Sequence, residues 1–142
     1  MTSKFELMDF NGFTNKKILI VEDDDMLRGI LLEQLASKYL IVPARDGEEA
    51  LAQVSINHPD LILLDLLLPK LDGFGVLSRL RELPDPQLAR TPVLVVSNLS
   101  DEASMERARE YNIEDYFAKA NVNVDELIRR IEQVFRQESL PS

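Results

Sequence analysis

The sequence predicts an α/β domain built on a parallel sheet with helices on both faces. Three observations carry this. Five short segments are apolar throughout, as strands buried on both faces are. Amphipathic helical stretches separate them, the alternation expected of a parallel α/β sheet. Acidic residues, a serine and a lysine stand at the downstream ends of the strands, where open sheets of this class bind ligands.

The elements follow in order. Residues 1–15 are mixed and aperiodic, carry Phe5, Phe10 and Phe13, and read as a leader. Ile18-Leu19-Ile20-Val21 is the first strand. Residues 26–38 form the first helix on a stripe of Leu27, Ile30, Leu31 and Leu35, with Asp24 or Asp25 as its cap. Tyr39-Leu40-Ile41-Val42 is the second strand; Pro43 removes a ladder donor and places it at the sheet edge. Asp46-Gly47 is a turn, and Gly47 to Asn57 is the second helix. Leu61-Ile62-Leu63-Leu64 is the third strand, ending at Asp65, after which Pro69 and Gly73 bracket a loop. Residues 74–83 form the third helix, stopped before Pro84.

Val93-Leu94-Val95-Val96 is the fourth strand, ending at Ser97. Residues 101–111 form the fourth helix, capped by Asp101, on a thin apolar face of Ala103, Met105 and Ala108. Tyr116-Phe117-Ala118 is the fifth strand, ending at Lys119. The last helix runs from Val124 to Gln137; Val124, Leu127, Ile128, Ile131, Val134 and Phe135 fall at offsets 0, 3, 4, 7, 10 and 11. Residues 16–142 read as a single domain with no output domain.

Composition narrows the chemistry. The 142 residues contain no cysteine, which excludes disulfides and thiolate sites. The lone histidine, His58, excludes any site needing two imidazoles. With 25 acidic against 16 basic residues the net charge is −9, so the chain lacks the basic footprint of a nucleic-acid binder. No apolar run approaches the roughly 18 residues that cross a bilayer, and no signal peptide opens the chain, so a cytoplasmic protein is expected.

The informative carboxylates are Glu22, Asp23 and Asp65, at the ends of the first and third strands. At about 5 Å and an effective dielectric near 20, each like-charged pair costs roughly 3 kcal/mol, so a counter-ion is required. Hard oxygen donors without His or Cys favour Mg²⁺. Lys119 adds a point charge suited to phosphate, and Ser97 a hydroxyl. Together they describe a site for a phosphoryl group beside a metal ion.

This constellation resembles the receiver domain of bacterial two-component response regulators. The matching segments run from Lys16 to Glu138: Ile18-Leu19-Ile20-Val21-Glu22-Asp23-Asp24; Pro59 to Asp65 with Pro69, Asp72 and Gly73; Val93 to Ser97; and Asp115 to Lys119. The resemblance implies a flavodoxin-like doubly wound sheet of order 2-1-3-4-5. It implies Asp65 as phosphoacceptor, and Mg²⁺ held by Asp23, Asp65 and the Leu67 backbone carbonyl, with Glu22 acting through a water. Lys119, Ser97 and Asn98 would line the phosphoryl pocket, with Tyr116 as the switch aromatic. The implied partners are a histidine kinase or phosphotransfer protein and a downstream protein effector. Control would run through the face of the fourth helix, fifth strand and fifth helix, with phosphorylation-dependent homodimerisation left open.

Two positions depart from the family pattern. Ala120 follows Lys119 where proline is usual, which predicts a trans peptide bond there. Asn98 replaces a small residue. These departures sustain one alternative, a pseudo-receiver interaction module that takes no phosphate. A phosphatase with a second aspartate two residues past the nucleophile is disfavoured, because Leu67 holds that position. A flavin carrier is disfavoured because Glu22-Asp23-Asp24-Asp25 would repel the cofactor phosphate. Leu67 and Leu99 offer no group to orient an attacking water, which predicts slow autodephosphorylation. His58 lies in a loop and is not read as a phosphorelay histidine; Met26 and Arg28 read as helix surface.

Overall fold

In the computed structural model, residues 15–139 are described. The elements are β1 (Lys17–Val21), α1 (Asp25–Leu35), β2 (Leu40–Ala44), α2 (Gly47–Asn57), β3 (Leu61–Leu64), α3 (Gly73–Arg81), α4 (Pro86–Ala89), β4 (Val93–Ser97), α5 (Glu102–Arg109), β5 (Asp115–Ala118) and α6 (Val124–Ser139). A 3₁₀ turn at Lys119–Asn121 joins β5 to α6. The five strands are parallel in the order β2-β1-β3-β4-β5, the doubly wound flavodoxin-like arrangement. The leader read at residues 1–15 lies, but for Asn15, outside the described residues.

Strand pleating divides the core in two. Leu19 and Val21 of β1, Ile62 and Leu64 of β3, and Val93 and Val95 of β4 face α2, α3 and Ala108 of α5. Ile18, Ile20, Leu61, Leu63, Leu94 and Val96 face Leu31 and Leu35 of α1 and Leu127, Ile131, Val134 and Phe135 of α6. The strand side chains of β1 and β3 from Ile18 to Val21 and from Leu61 to Leu64 are all at most 2% exposed. At roughly 1.5–3 kcal/mol for each fully buried aliphatic side chain, these two strands anchor the fold. Pro43 sits on edge strand β2 opposite Ile20, as its missing donor requires.

Several sequence expectations need correction. α1 stops at Leu35, short of residue 38. Ile30 is 42% exposed, because it stands about 100° from Leu31, the residue that faces the sheet. Ala103 is exposed for the same reason: it lies about 140° around α5 from Ala108, the buried residue of that helix. α3 begins at Gly73 and ends at Arg81, so Leu83 lies beyond it. α4 is not among the helices the sequence predicts, although Asp85-Pro86 is a cap followed by a first-turn proline; Asp85 accepts from the Gln87 N–H at 2.9 Å. The predicted fourth and fifth helices are therefore α5 and α6.

Arg81 explains how α4 is held. Its Nε donates to the Tyr111 carbonyl at 2.7 Å, and Nη1 donates to the carbonyls of Ala89 at 2.9 Å and Thr91 at 2.7 Å. Nη2 reaches the Asn112 carbonyl at 3.3 Å. One guanidinium thus ties α3 to α4, to the start of β4 and to the α5–β5 connection. All of these lie at the end of the sheet opposite Asp65.

Candidate functional site

Strand register brings the acidic residues together. Val21 lies opposite Leu64, and the Asp65 N–H donates to the Val21 carbonyl at 3.1 Å. Glu22 and Asp65, each the first residue beyond its strand, are therefore neighbours. Ser97 pairs with Ala118, so Lys119 emerges beside the end of β4.

Lys119 closes the arrangement. Its Nζ donates to Glu22 Oε2 at 2.8 Å and to Asp65 Oδ2 at 3.1 Å. Both carboxylates are only 2% exposed, whereas Asp23 is exposed at the rim. One carboxylate oxygen from each of Glu22, Asp23 and Asp65 can be chosen so that all three lie within 4.8 Å of one another. This donor set fits a hard divalent cation. The remaining Asp65 oxygen, Oδ1, accepts the Leu67 N–H at 3.1 Å, and Glu22 Oε2 also accepts the Asp24 N–H at 3.0 Å.

Burial shifts the charges. Desolvation raises the Glu22 pKa, aided by the Asp65 charge, and prevails over the lowering from Lys119 and the Asp24 N–H. Burial opposes the Lys119 charge, but hydrogen bonds and charges from Glu22 and Asp65 outweigh it and lift the ammonium above the usual lysine value. No peptide bond among the described residues is cis, so Lys119–Ala120 is trans, as alanine there predicts. Lys119 nevertheless reaches both carboxylates.

The other expected residues fall around this centre. Ser97 is buried at the end of β4, and its Oγ accepts the Leu99 N–H at 3.3 Å. Asn98 is exposed on the loop that follows. Leu67 is 49% exposed on the β3–α3 loop. The Tyr116 hydroxyl donates to the Leu99 carbonyl, which places the ring against the β4–α5 loop. Burial raises the Tyr116 pKa, opposed by a hydrogen bond with Ser97. Asp24 and Asp101 are helix caps, accepting from Met26 and Leu27 and from Ser104 respectively. His58 is an exposed left-handed cap at the end of α2, remote from this strand edge.

Sequence reasoning missed Gly47 and Arg81. A Cβ built on Gly47 would lie 2.0 Å from the Leu71 carbonyl oxygen, so the β3–α3 loop rests on the start of α2. Asp46-Gly47 reads in the sequence only as a turn, and nothing local reports that contact. Nothing local singles out Arg81, because its acceptors are backbone carbonyls 8 to 31 residues away.

The response regulator receiver domain family model matches residues 18–132. The chain is 38% identical over 128 residues to the "Probable transcriptional regulator ycf27" of Cyanophora paradoxa, covering 89% of this chain and 51% of that protein. It is 37% identical over 125 residues to the alkaline phosphatase synthesis transcriptional regulatory protein PhoP of Bacillus subtilis, covering 83% of this chain and 50% of that protein. It thus spans about half the length of these curated relatives. Among solved structures, the receiver domain of Francisella response regulator 1452 superimposes with a TM-score of 0.78 at 29% identity, covering 87% of this chain and 99% of that one. No described helix is long and apolar enough to cross a membrane.

Proposed function

The chain belongs to the response regulator receiver domain family, and from that premise we propose that it accepts a phosphoryl group on Asp65 from a phosphohistidine donor. The donor would be a histidine kinase or a histidine phosphotransfer protein, and the domain would signal rather than turn over substrate. The observation that carries this reading is the bridge from Lys119 to Glu22 and Asp65 at 2.8 and 3.1 Å, set among three clustered carboxylates.

Asp23, Asp65 and the Leu67 carbonyl would hold Mg²⁺, with Glu22 supporting it indirectly. When bound, the ion supplies positive charge to the transferring phosphoryl oxygens. Asp65 is the nucleophile: one of its oxygens forms the new bond to phosphorus as the P–N bond to the donor imidazole breaks. Lys119 offsets charge on a phosphoryl oxygen, and the Ser97 hydroxyl donates to another. Glu22 keeps Lys119 close to Asp65 before the donor arrives. Asn98, exposed beside Ser97, stands at the rim of the pocket.

The same contacts supply an output. Drawing Ser97 toward the phosphoryl group would pull on the β4–α5 loop, since Ser97 Oγ accepts the Leu99 N–H and the Leu99 carbonyl accepts the Tyr116 hydroxyl, freeing the ring to take a new position. Tyr116 lies in β5, between α5 and α6 in chain order, so the α5–β5–α6 face would be biased. α5 buries only Ala108, which suits a movable element. The partner of this face would be a protein surface, because a net charge of −9 leaves no basic excess for nucleic acid.

Incubation with Mg²⁺ and acetyl phosphate, followed by intact mass measurement, tests the reading. One added phosphoryl group is expected on the wild-type chain and none on Asp65→Asn. A chain that gains nothing with Mg²⁺, or a variant that still gains one, overturns it.

A further inference from the structure

We propose that Gly47 is a positioning residue for the phosphoacceptor site, acting through the backbone of the β3–α3 loop; this rests on the reading of Asp65 given above. The loop from Leu66 to Asp72 carries Leu67, whose carbonyl is an expected metal ligand and whose N–H already holds Asp65 Oδ1 at 3.1 Å. What holds the loop is contact with two glycine-containing helix starts. A Cβ on Gly47, at the start of α2, would lie 2.0 Å from the Leu71 carbonyl oxygen and 2.8 Å from both its carbonyl carbon and its Cβ. These partners include rigid backbone atoms, so the clash cannot be relieved by rotating a side chain. A Cβ on Gly75, in α3, would lie 2.4 Å from Leu71 Cδ1. Leu71 therefore meets both glycines, through its backbone at Gly47 and its side chain at Gly75.

One further contact joins the loop to the start of α2. Asp46 uses Oδ1 to cap that helix through the Glu49 N–H at 2.8 Å, and its Oδ2 lies 3.5 Å from Lys70 Nζ. Lys70 adopts φ 68°, a left-handed conformation that an isolated lysine disfavours. The Gly73 N–H closes the loop on the Leu66 carbonyl at 2.9 Å. The Lys70 side chain is 62% exposed, so its ion pair contributes little. The steric seat at Gly47 is the restraint that ties the loop to α2, and Gly73 packs the other end of the loop, where a Cβ would lie 2.5 Å from Leu66 Cα.

Gly47→Ala should leave the helix itself intact, since alanine is the better helix former. It must lift Leu71, and the loop carrying Leu67 moves with it. Mg²⁺ binding, titrated calorimetrically with MgCl₂ alone, should weaken by about ten- to a hundredfold, the range found when support behind a metal ligand is lost. Hydrogen exchange over residues 66–72 should speed up, and saturating Mg²⁺ should restore phosphorylation by acetyl phosphate. Gly29→Ala, whose added Cβ has nothing within 4 Å, is the control and should bind Mg²⁺ as wild type does. A folded Gly47→Ala protein with wild-type Mg²⁺ affinity overturns the proposal. Should that variant not fold, Gly75→Ala serves, because its clash is with a movable side-chain end; it should weaken Mg²⁺ in the same direction by less, and unchanged affinity overturns the proposal. A wild-type chain that binds no Mg²⁺ refutes the site itself, a result distinct from failure of the loop argument.

Discussion

Replacing Lys119 by methionine removes the one side-chain cation paired with the carboxylates of Glu22 and Asp65 among the described residues, and its consequences can be worked from the geometry. The ammonium lies 2.8 Å from Glu22 and 3.1 Å from Asp65, both 2% exposed. With carboxylate oxygens within 4.8 Å of one another and an effective dielectric near 20, the uncompensated repulsion is at least about 3.5 kcal/mol per pair. Removing one partner of a buried ion pair costs about 3–5 kcal/mol, a large share of the roughly 5–15 kcal/mol that stabilises a domain. Lys119→Met should therefore be destabilised by about 3–5 kcal/mol at pH 7 without divalent cation, measured by urea unfolding followed by circular dichroism.

Two signatures separate this from simple loss of packing. Mg²⁺ no longer competes with the ammonium, so the variant should bind Mg²⁺ more tightly than wild type. At a hundredfold excess over its Kd the ion should return about 2.7 kcal/mol. Acidification should also narrow the gap. Glu22 already has a raised pKa in the folded state, chiefly through desolvation, and losing Lys119 raises it further. The folded state then binds the proton first, so stability is gained as pH falls through that raised pKa and lost as pH rises through it. A loss of stability that neither Mg²⁺ nor acidification relieves would refute the electrostatic argument.

Three further outcomes are expected. The phosphoryl group on Asp65 should persist for minutes or longer after excess donor is removed and Mg²⁺ is left in place, because Leu67 and Leu99 cannot orient water; decay within seconds by intact mass contradicts this. Arg81→Ala should cost about 2–4 kcal/mol through the loss of charge-assisted bonds to four carbonyls, while the folded variant keeps wild-type phosphorylation; an altered phosphorylation rate would contradict its placement at the far end of the sheet. Beryllofluoride with Mg²⁺ should shift amide resonances across α5, β5 and the start of α6, Tyr116 among them, and an unchanged spectrum of that face would refute the proposed output.

Much of this molecule is legible locally. The four-residue cores of β1, β3 and β4 are apolar without interruption, and only a strand covered on both faces tolerates that. Asp24 and Asp101 announce helix starts through their own side chains. Pro43 marks an edge strand because it lacks a donor. At two helix positions local pattern misleads through orientation. Ile30 and Ala103 are apolar residues on helices, but the sheet touches Leu31 and Ala108 instead.

The residues with chemistry to offer were determined by the sequence alone: Glu22, Asp23, Asp65, Ser97 and Lys119 each close an apolar strand, and a parallel sheet puts all strand ends of one kind at one edge. Their pairing was decided by tertiary structure. Strand register, absent from any local window, makes Glu22 and Asp65 neighbours and lets Lys119 bridge them despite a trans bond to Ala120. Likewise, no property of Gly47 or Arg81 as a residue reports its role. Gly47 matters because a loop 24 residues further along rests on its bare Cα, and Arg81 because four distant carbonyls converge on it. Sequence can show that a side chain is small or charged; only the folded chain supplies the atoms that meet it.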